Sequence, residues 1–292
     1  MNKSLIKNIC AMTIFGTISV FVKEVGLPSA EIALWRAVIA VAVLCIYKLI
    51  RREKLPLKIG GANTIRLAVS GVLVGLNWIL LFEAYKYTSV SVATLSYYFA
   101  PVLIMIISPI VFHEKMSFKQ VAFFVMSTLG LVLIIGARPS GSERELYGVL
   151  LGLGAAVIYA IVVMLNKKVP NVGGIDKTMI QFTAAAVVLA VYVPLAEGYQ
   201  IGSLGSMPLI SLLILGVIHT GLAYCLYFGS IAKLPGQQVA MLSYIDPLVA
   251  VLISVTVLRE AVMPLQLVGG AMILGFTLLN ELGPGKSPVS AD

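Results

Sequence analysis

Charge is what this sequence lacks most. Of its 292 residues only 12% are charged and 59% are hydrophobic, whereas an ordinary soluble domain carries about a quarter charged residues. With a mean hydropathy of +1.00, the chain holds more apolar surface than any soluble core can use, so composition assigns it to the membrane. Acids are scarcer than bases, 13 against 21, which leaves a net charge of +8. In a soluble protein that surplus would point to nucleic acid. Here the bases sit between apolar segments, where they set orientation, and nucleic-acid binding is excluded. Cysteine occurs three times. Cys10, Cys45 and Cys225 are odd in number and scattered through apolar stretches, so they offer neither a disulfide framework nor a metal spacing and are expected to be small packing residues. Two distant histidines and 13 mostly peripheral acids supply no metal cluster, which argues against a membrane-embedded lipid or prenyl transferase. No cofactor and no enzymatic activity are expected. A phosphate-binding loop of the form GxxxxGK[ST] is also lacking, so energy must come from a gradient.

What is present is a succession of apolar runs, each close to the roughly 20 residues that span about 30 Å of hydrocarbon. Ten are read, at 5–23, 30–50, 64–85, 89–112, 118–136, 146–166, 177–196, 207–230, 236–258 and 264–282. Between them lie short polar breaks such as Arg51-Arg52-Glu53-Lys54 and Arg138-Pro139-Ser140-Gly141-Ser142. Lys3 and Lys7 precede the first run as in a signal peptide, yet no small-residue cleavage site ends it, and the segment is expected to be retained. Fifteen lysines and arginines fall on the N-terminal side of the alternating loops. Five, namely Lys23, Lys86, Arg138, Arg144 and Arg259, fall on the other, with Arg36 inside a segment. Positive loops stay in the cytoplasm. A multi-pass protein of the bacterial inner membrane with both termini cytoplasmic is therefore expected.

The chain repeats itself. An offset of 146 residues carries Gly75 to Gly221, Tyr98 to Tyr244, Pro101 to Pro247, Glu114 to Glu260 and Gln120 to Gln266. Leu95-Ser96-Tyr97-Tyr98-Phe99-Ala100-Pro101 likewise matches Leu242-Ser243-Tyr244-Ile245-Asp246-Pro247 with one residue of slippage. Five helices per copy is an odd number, so the second copy enters the membrane from the opposite side, an arrangement many transporters use around a midplane site. The expected organisation is an all-α membrane protein with a first five-helix repeat at 1–138, an inverted second repeat at 139–282 and a disordered cytoplasmic tail at 283–292.

Several of these features resemble the EamA-like branch of the drug/metabolite transporter superfamily over nearly the whole chain. They are the five-helix half, the Trp35-Arg36 pair, the string Glu83-Ala84-Tyr85-Lys86-Tyr87-Thr88-Ser89 running on to Ala93 and Pro101, and the His113-Glu114-Lys115 turn before Gln120. The resemblance implies a ten-helix bundle around a central cavity built mainly by the first, third, fourth, sixth, eighth and ninth helices. It also implies export of small metabolites, with a substrate that varies across the family from amino acids to sugars, cations and drugs. Arg36, about a third of the way into the second segment, could neutralise an acid or attract a substrate carboxylate; because the family often carries an arginine there, the resemblance implies a structural or gating pair rather than a ligand contact.

Ionisable residues inside a bilayer cost several kcal/mol on most scales and need a reason. Asp246 precedes Pro247, whose missing N–H bends the helix, and is the best proton or cation site in the chain; the alternative is an acid facing a watery mouth and capped by a hydroxyl such as Ser243. Its repeat partner is Ala100. Glu83 is positioned for an interfacial ion pair with Lys86. His219 is either a proton-coupling group or a hydrogen-bonded packing residue. Gln181 stands where Arg36 stands in the first copy, one residue off register. Aromatic residues on the cavity helices, Trp78, Tyr98, Tyr224 and Tyr244, with Asn77 beside Trp78, are candidate substrate contacts. Tyr85, Tyr87 and Tyr192 fit an interfacial belt better. Pro101 and Pro247 are matched kinks at which a bundle can hinge, whereas Gly71-x-x-x-Gly75 and Gly148-x-x-x-Gly152 permit close packing.

The substrate-binding candidates are thus Asn77, Trp78, Tyr98, His219, Tyr224, Tyr244 and Asp246; those for coupling or gating are Arg36, Glu83, Pro101, Pro247 and again Asp246. The expected activity is secondary transport that exports amino acids or related small metabolites by alternating access, with or without proton exchange at Asp246 or His219. A passive uniporter and a multidrug or cation exporter remain as alternatives. The expected partners are the lipid bilayer, the small-molecule substrate and, under the coupled reading, protons; the chain is expected to be a monomer or weak dimer.

Overall fold

The computed structural model describes residues 3–56, 60–112, 117–136, 143–196, 198–231 and 233–282. Lipid offers a backbone no hydrogen-bond partners, so uninterrupted apolar segments take the one local form that satisfies its own N–H and C=O groups. Helix 1 runs Lys3–Val25, helix 2 Ser29–Ile50, helix 3 Gly61–Tyr87 and helix 4 Val90–Tyr97 then Ala100–Phe112. Helix 5 runs Phe118–Gly136, helix 6 Glu143–Lys167 and helix 7 Gly174–Ala196. Helix 8 runs Ser206–Ile231, helix 9 Gly236–Ser243 then Ile245–Thr256, and helix 10 Pro264–Leu282. Nine of these are long and apolar enough to cross a bilayer, and helix 9 contributes the shorter apolar segment Met241–Thr256, among the described residues. The expected ten-helix, all-α membrane fold is the one observed. The His113-Glu114-Lys115 turn, the 138–142 break with the boundary between the two expected repeats, and the 283–292 tail lie outside the described residues.

The helix interruptions follow from the sequence. Pro101 and Pro247 cannot donate to the carbonyls of Tyr97 and Ser243 four residues back, and Tyr97 and Ser243 are the last residues of the first parts of helices 4 and 9. Helix 1 breaks at Thr17, whose hydroxyl turns back to donate to the Ile14 carbonyl at 2.8 Å.

Helix 8 is interrupted differently: Leu215–Leu222 is wound as a π-helix. Helices 2 and 7 begin at Ser29 and Gly174, 145 residues apart, while helices 4 and 9 begin at Val90 and Gly236, 146 apart. Gly71 and Gly216 still keep the first offset, whereas Gly75 and Gly221 keep the second. One residue has thus been added between those glycines, and the wide π-turn absorbs it without breaking the helix. The single offset of 146 expected above therefore holds only from this turn onward. At 145, Gln181 falls on Arg36, which removes the slippage noted above.

The main helix pairings are kept when each helix n is exchanged for n+5. Helix 3 packs on helices 6 and 7, as helix 8 does on 1 and 2; helix 4 packs on 6, as 9 does on 1; and the pairs 2–7, 4–9 and 5–10 map onto themselves. Glycines let the seams close. A Cβ on Gly71 would strike the Gln181 backbone of helix 7, and one on Gly216 or Gly221 would strike Ile39 or Val43 of helix 2. A spacing of four on the α-helix and five on the π-helix presents both glycine pairs on one face.

Polar contacts divide the loops between two ends. At the basal end, where helix 1 begins, Asn8 donates to Ser230 at 3.0 Å, Lys48 pairs with Asp176, and Arg66 donates to the Lys168 carbonyl at 3.4 Å. At the apical end Lys23 pairs with Glu260, and Arg144 donates to the Lys86 carbonyl at 3.3 Å. Helix 3 thus begins beside the end of helix 6 and ends beside its start, so the two run in opposite directions.

Candidate functional site

Arg36 lies one turn beyond Ile32 on helix 2 and is 4% exposed. Its Nε donates to Thr220 Oγ1 of the π-turn at 2.6 Å. Thr220 is turned toward helix 2 because its own hydroxyl donates five residues back, to the Leu215 carbonyl at 2.8 Å. The guanidinium carbon lies 4.1 Å from the centre of the Trp78 ring and 5.6 Å from that of Phe82. Among the described residues no carboxylate pairs with Arg36.

From Trp78 a chain of rings crosses the bundle. Trp78 meets Phe182 at 5.1 Å, Phe182 meets Tyr224 at 5.2 Å and Tyr224 meets Phe15 at 5.3 Å between centroids, at the tilted and edge-on angles aromatic pairs favour. Trp78 and Tyr224, predicted as substrate contacts, thus belong to one aromatic wall joined by Phe182 and Phe15. Nothing in the sequence singled out the last two, which read as ordinary apolar helix residues.

Asp246 sits in the first turn after the break in helix 9, and Tyr98 sits at the break in helix 4. The Tyr98 hydroxyl donates to Asp246 Oδ2 at 2.6 Å, taking the capping role expected of Ser243. The two proline breaks thus meet through this bond. Tyr97 packs edge-on to Tyr98 at 5.9 Å and against Tyr159 at 5.7 Å, so Asp246 has aromatic neighbours from helices 4 and 6. Helix 1 closes the site. A Cβ on Gly16 would lie 2.6 Å from the Asp246 carbonyl oxygen, so that only glycine allows this approach.

His219, on the π-turn, is 2% exposed. Its Nε2 lies 3.0 Å from the Thr17 hydroxyl and its Nδ1 3.3 Å from the Ile214 carbonyl. A neutral imidazole has one N–H and donates to one of these at a time. The break of helix 1 at Gly16-Thr17 is therefore held on one side by His219 and on the other by helix 9 at Asp246. The two residues singled out for coupling share this joint, and only the fold brings them to it.

The other predicted residues serve elsewhere. Asn77 donates to the Ala155 carbonyl at 2.6 Å and ties helix 3 to helix 6. Tyr244 is buried, with Glu281 of helix 10 as its electrostatic neighbour. Glu83 pairs with Lys86 at 2.8 Å as the spacing predicts, and also accepts from Ser29 at 2.7 Å. Tyr85 is 5% exposed and not part of an interfacial belt. Cys10 is exposed on the outer surface and therefore packs nothing inside the bundle.

A cleft of about 740 Å³ enters from the apical end, within the range of small-molecule sites. Lys23, Ser29, Lys86 and Gln200 rim it, and Ile32, Phe82 and Tyr85 line it more deeply. Phe82 lines this cleft, and its ring centre lies 5.6 Å from the Arg36 guanidinium carbon. The rim is built by acids that sequence reasoning passed over as peripheral. Glu31, wholly buried, accepts the backbone N–H groups of Gln200 at 2.9 Å and Ile201 at 3.0 Å. Glu260 accepts from Val90 N–H at 2.7 Å, at the start of helix 4 where the dipole favours a negative charge, and from Ser254 at 2.5 Å.

The chain is 27% identical to the uncharacterized transporter YxxF of Bacillus subtilis, over 99% of this chain and 93% of that one. It is 25% identical to a probable amino-acid metabolite efflux pump of Salmonella typhimurium, over 61% and 63% of the two chains. To mouse solute carrier family 35 member G1 it is 29% identical, over 53% of this chain and 45% of that one. A solved crystal structure shares the fold, with a TM-score of 0.67 at 20% identity over 95% of this chain and 96% of the other. The model of the EamA-like transporter family matches twice, at residues 3–136 and 146–281. The chain belongs to the EamA-like transporter family.

Proposed function

We propose that this protein is a secondary transporter that exports amino acids or related small organic metabolites by alternating access, with a proton carried on Asp246. Its two halves rock about the seams of helix 2 with helices 7 and 8 and of helix 3 with helix 7. The apical cleft is the open side of one state, and both termini lie in the cytoplasm of a bacterial cell membrane.

The observation that carries this reading is the bond from Tyr98 to Asp246 at 2.6 Å. It joins the broken helices of the two halves at a place where the repeats differ by a charge, since Ala100 occupies the position equivalent to Asp246. A carboxyl group there can bind a proton in one state and release it in the other only if rocking changes its donor. The helix 4 and helix 9 breaks supply that freedom, and the glycine seams allow sliding without opening a cavity. The Salmonella relative's name supports the substrate class and the direction.

The test uses protein reconstituted in liposomes and a panel of labelled amino acids and related metabolites, with and without an imposed pH gradient, beside Asp246→Asn. Gradient-dependent flux in the wild type that becomes gradient-independent in the variant is expected. Equal flux with and without a gradient, unchanged in the variant, refutes the coupling and leaves a uniporter. No flux of any solute refutes the transport reading.

A further inference from the structure

We infer that Arg36 is the anchor for a substrate carboxylate, so that the transported class is organic monocarboxylates carrying an apolar group; this rests on the transport reading above. Among the described residues, Arg36 forms one hydrogen bond, from Nε to Thr220. The two outer amino groups, with four N–H donors, have no acceptor, although the residue is only 4% exposed. A buried guanidinium without a counter-ion is costly, and that cost falls when an anion binds. Lys23, Lys48, Arg51 and Lys86, each paired with a carboxylate, lie toward helix ends. Arg36 lies deep in the bundle, and no carboxylate of the described residues pairs with it.

The geometry narrows the anion. With Nε held by Thr220 and the face lying on Trp78 at 4.1 Å, the guanidinium plane is fixed and the outer edge is left for binding. Two parallel N–H groups on that edge match the two oxygens of a planar carboxylate, which accepts both at once. The cleft is lined by Ile32 and Phe82, and the centre of the Phe82 ring lies 5.6 Å from the guanidinium carbon. Val22, Leu27, Ile32 and Phe82, which line the cleft, offer apolar surface to a substituent, while Trp78 and Phe182 are buried beyond it. A carboxylate with an apolar body fits both parts of the site. A sugar leaves the guanidinium unpaired, and an organic cation meets a like charge.

The experiment measures binding of leucine, 4-methylpentanoate and leucinamide to the purified full chain by calorimetry in nanodiscs. The first two share the carboxylate and the third lacks it. Both acids are expected to bind at least tenfold more tightly than the amide. Arg36→Gln is expected to abolish that ratio, and Arg36→Lys, which keeps the charge but not the fork, to preserve part of it. A purely structural Arg36 would weaken all three ligands equally in the glutamine variant, and that result overturns the inference. So does an amide that binds wild type as well as leucine, a comparison that needs no variant to fold. If none of the three binds while a labelled organic cation or sugar, added to the liposome panel above, is transported, the carboxylate assignment fails and the transport reading stands. If acids bind preferentially but nothing is transported, the inference stands as a site and the transport reading fails.

Discussion

Replacing Thr220 by valine keeps the shape of the side chain and removes one oxygen, and with it the bond to Arg36 Nε at 2.6 Å. Hydrogen bonds to charged groups contribute about 1.5–3 kcal/mol in soluble proteins. Between membrane helices the measured average is about 0.6 kcal/mol and the largest about 1.7, because the unfolded chain in lipid finds other partners. Arg36 belongs near the upper end, since its surroundings are Trp78, Phe82 and the π-turn, and nothing among the described residues replaces the lost acceptor. A coupling of about 1–2 kcal/mol is therefore expected. Thr220→Val also removes the bond to the Leu215 carbonyl, so the single variant does not isolate the interaction. A double-mutant cycle with Arg36→Met does, provided each variant creates no new contact. The assay is reversible unfolding in mixed micelles, followed by tryptophan fluorescence. A coupling within the roughly 0.3–0.5 kcal/mol seen for independent sites would show that the π-turn does not hold Arg36 and would remove the reason given for its fixed plane.

Gly71→Ala should destabilise by about 1–3 kcal/mol, because the new methyl group meets the Gln181 backbone, which cannot move aside. Gly229→Ala, with nothing within 4 Å of the added carbon, should instead stabilise by up to about 1 kcal/mol; the same unfolding assay reads both. Deleting Ile218 should let helix 8 wind as a regular α-helix and carry Thr220 and His219 away from Arg36 and Thr17. Helix content by circular dichroism should then stay near wild type while transport is lost, and a fully active deletion would deny the π-turn its role. Glu260→Gln should weaken the apical junction of helices 1, 4 and 9 by about 1–3 kcal/mol, seen as a lower melting temperature. An unchanged value would mean that Lys23, Val90 and Ser254 find other partners.

How much of this was legible in the sequence depends on distance along the chain. The ten helices could be read because lipid demands a local solution, and apolar length reports it. The proline breaks and the Glu83–Lys86 pair were legible for the same reason. Tyr98 and Asp246 were each singled out, but their bond joins residues 148 apart, and a hydroxyl one residue from the break looks no different from the Ser243 expected in its place. The π-turn left a trace, the one-residue slippage between Arg36 and Gln181, whose cause becomes visible only when helix starts can be compared. From sequence Arg36 could equally neutralise an acid or attract a substrate carboxylate, and only the fold shows that no carboxylate of the described residues pairs with it. Glu31 and Glu260 were passed over because an acid near a helix end is ordinary, and only contacts across 170 residues show them holding the rim.

The most direct test of the central claim is counterflow. Liposomes are loaded with unlabelled solute of the kind the panel finds to move, then diluted into a trace of the labelled form with no pH or voltage gradient. Alternating access between two inverted halves predicts that the label accumulates transiently above its outside concentration, because the loaded carrier returns faster than the empty one. A flux that rises linearly with concentration and shows no such overshoot would identify an open pathway and contradict the account.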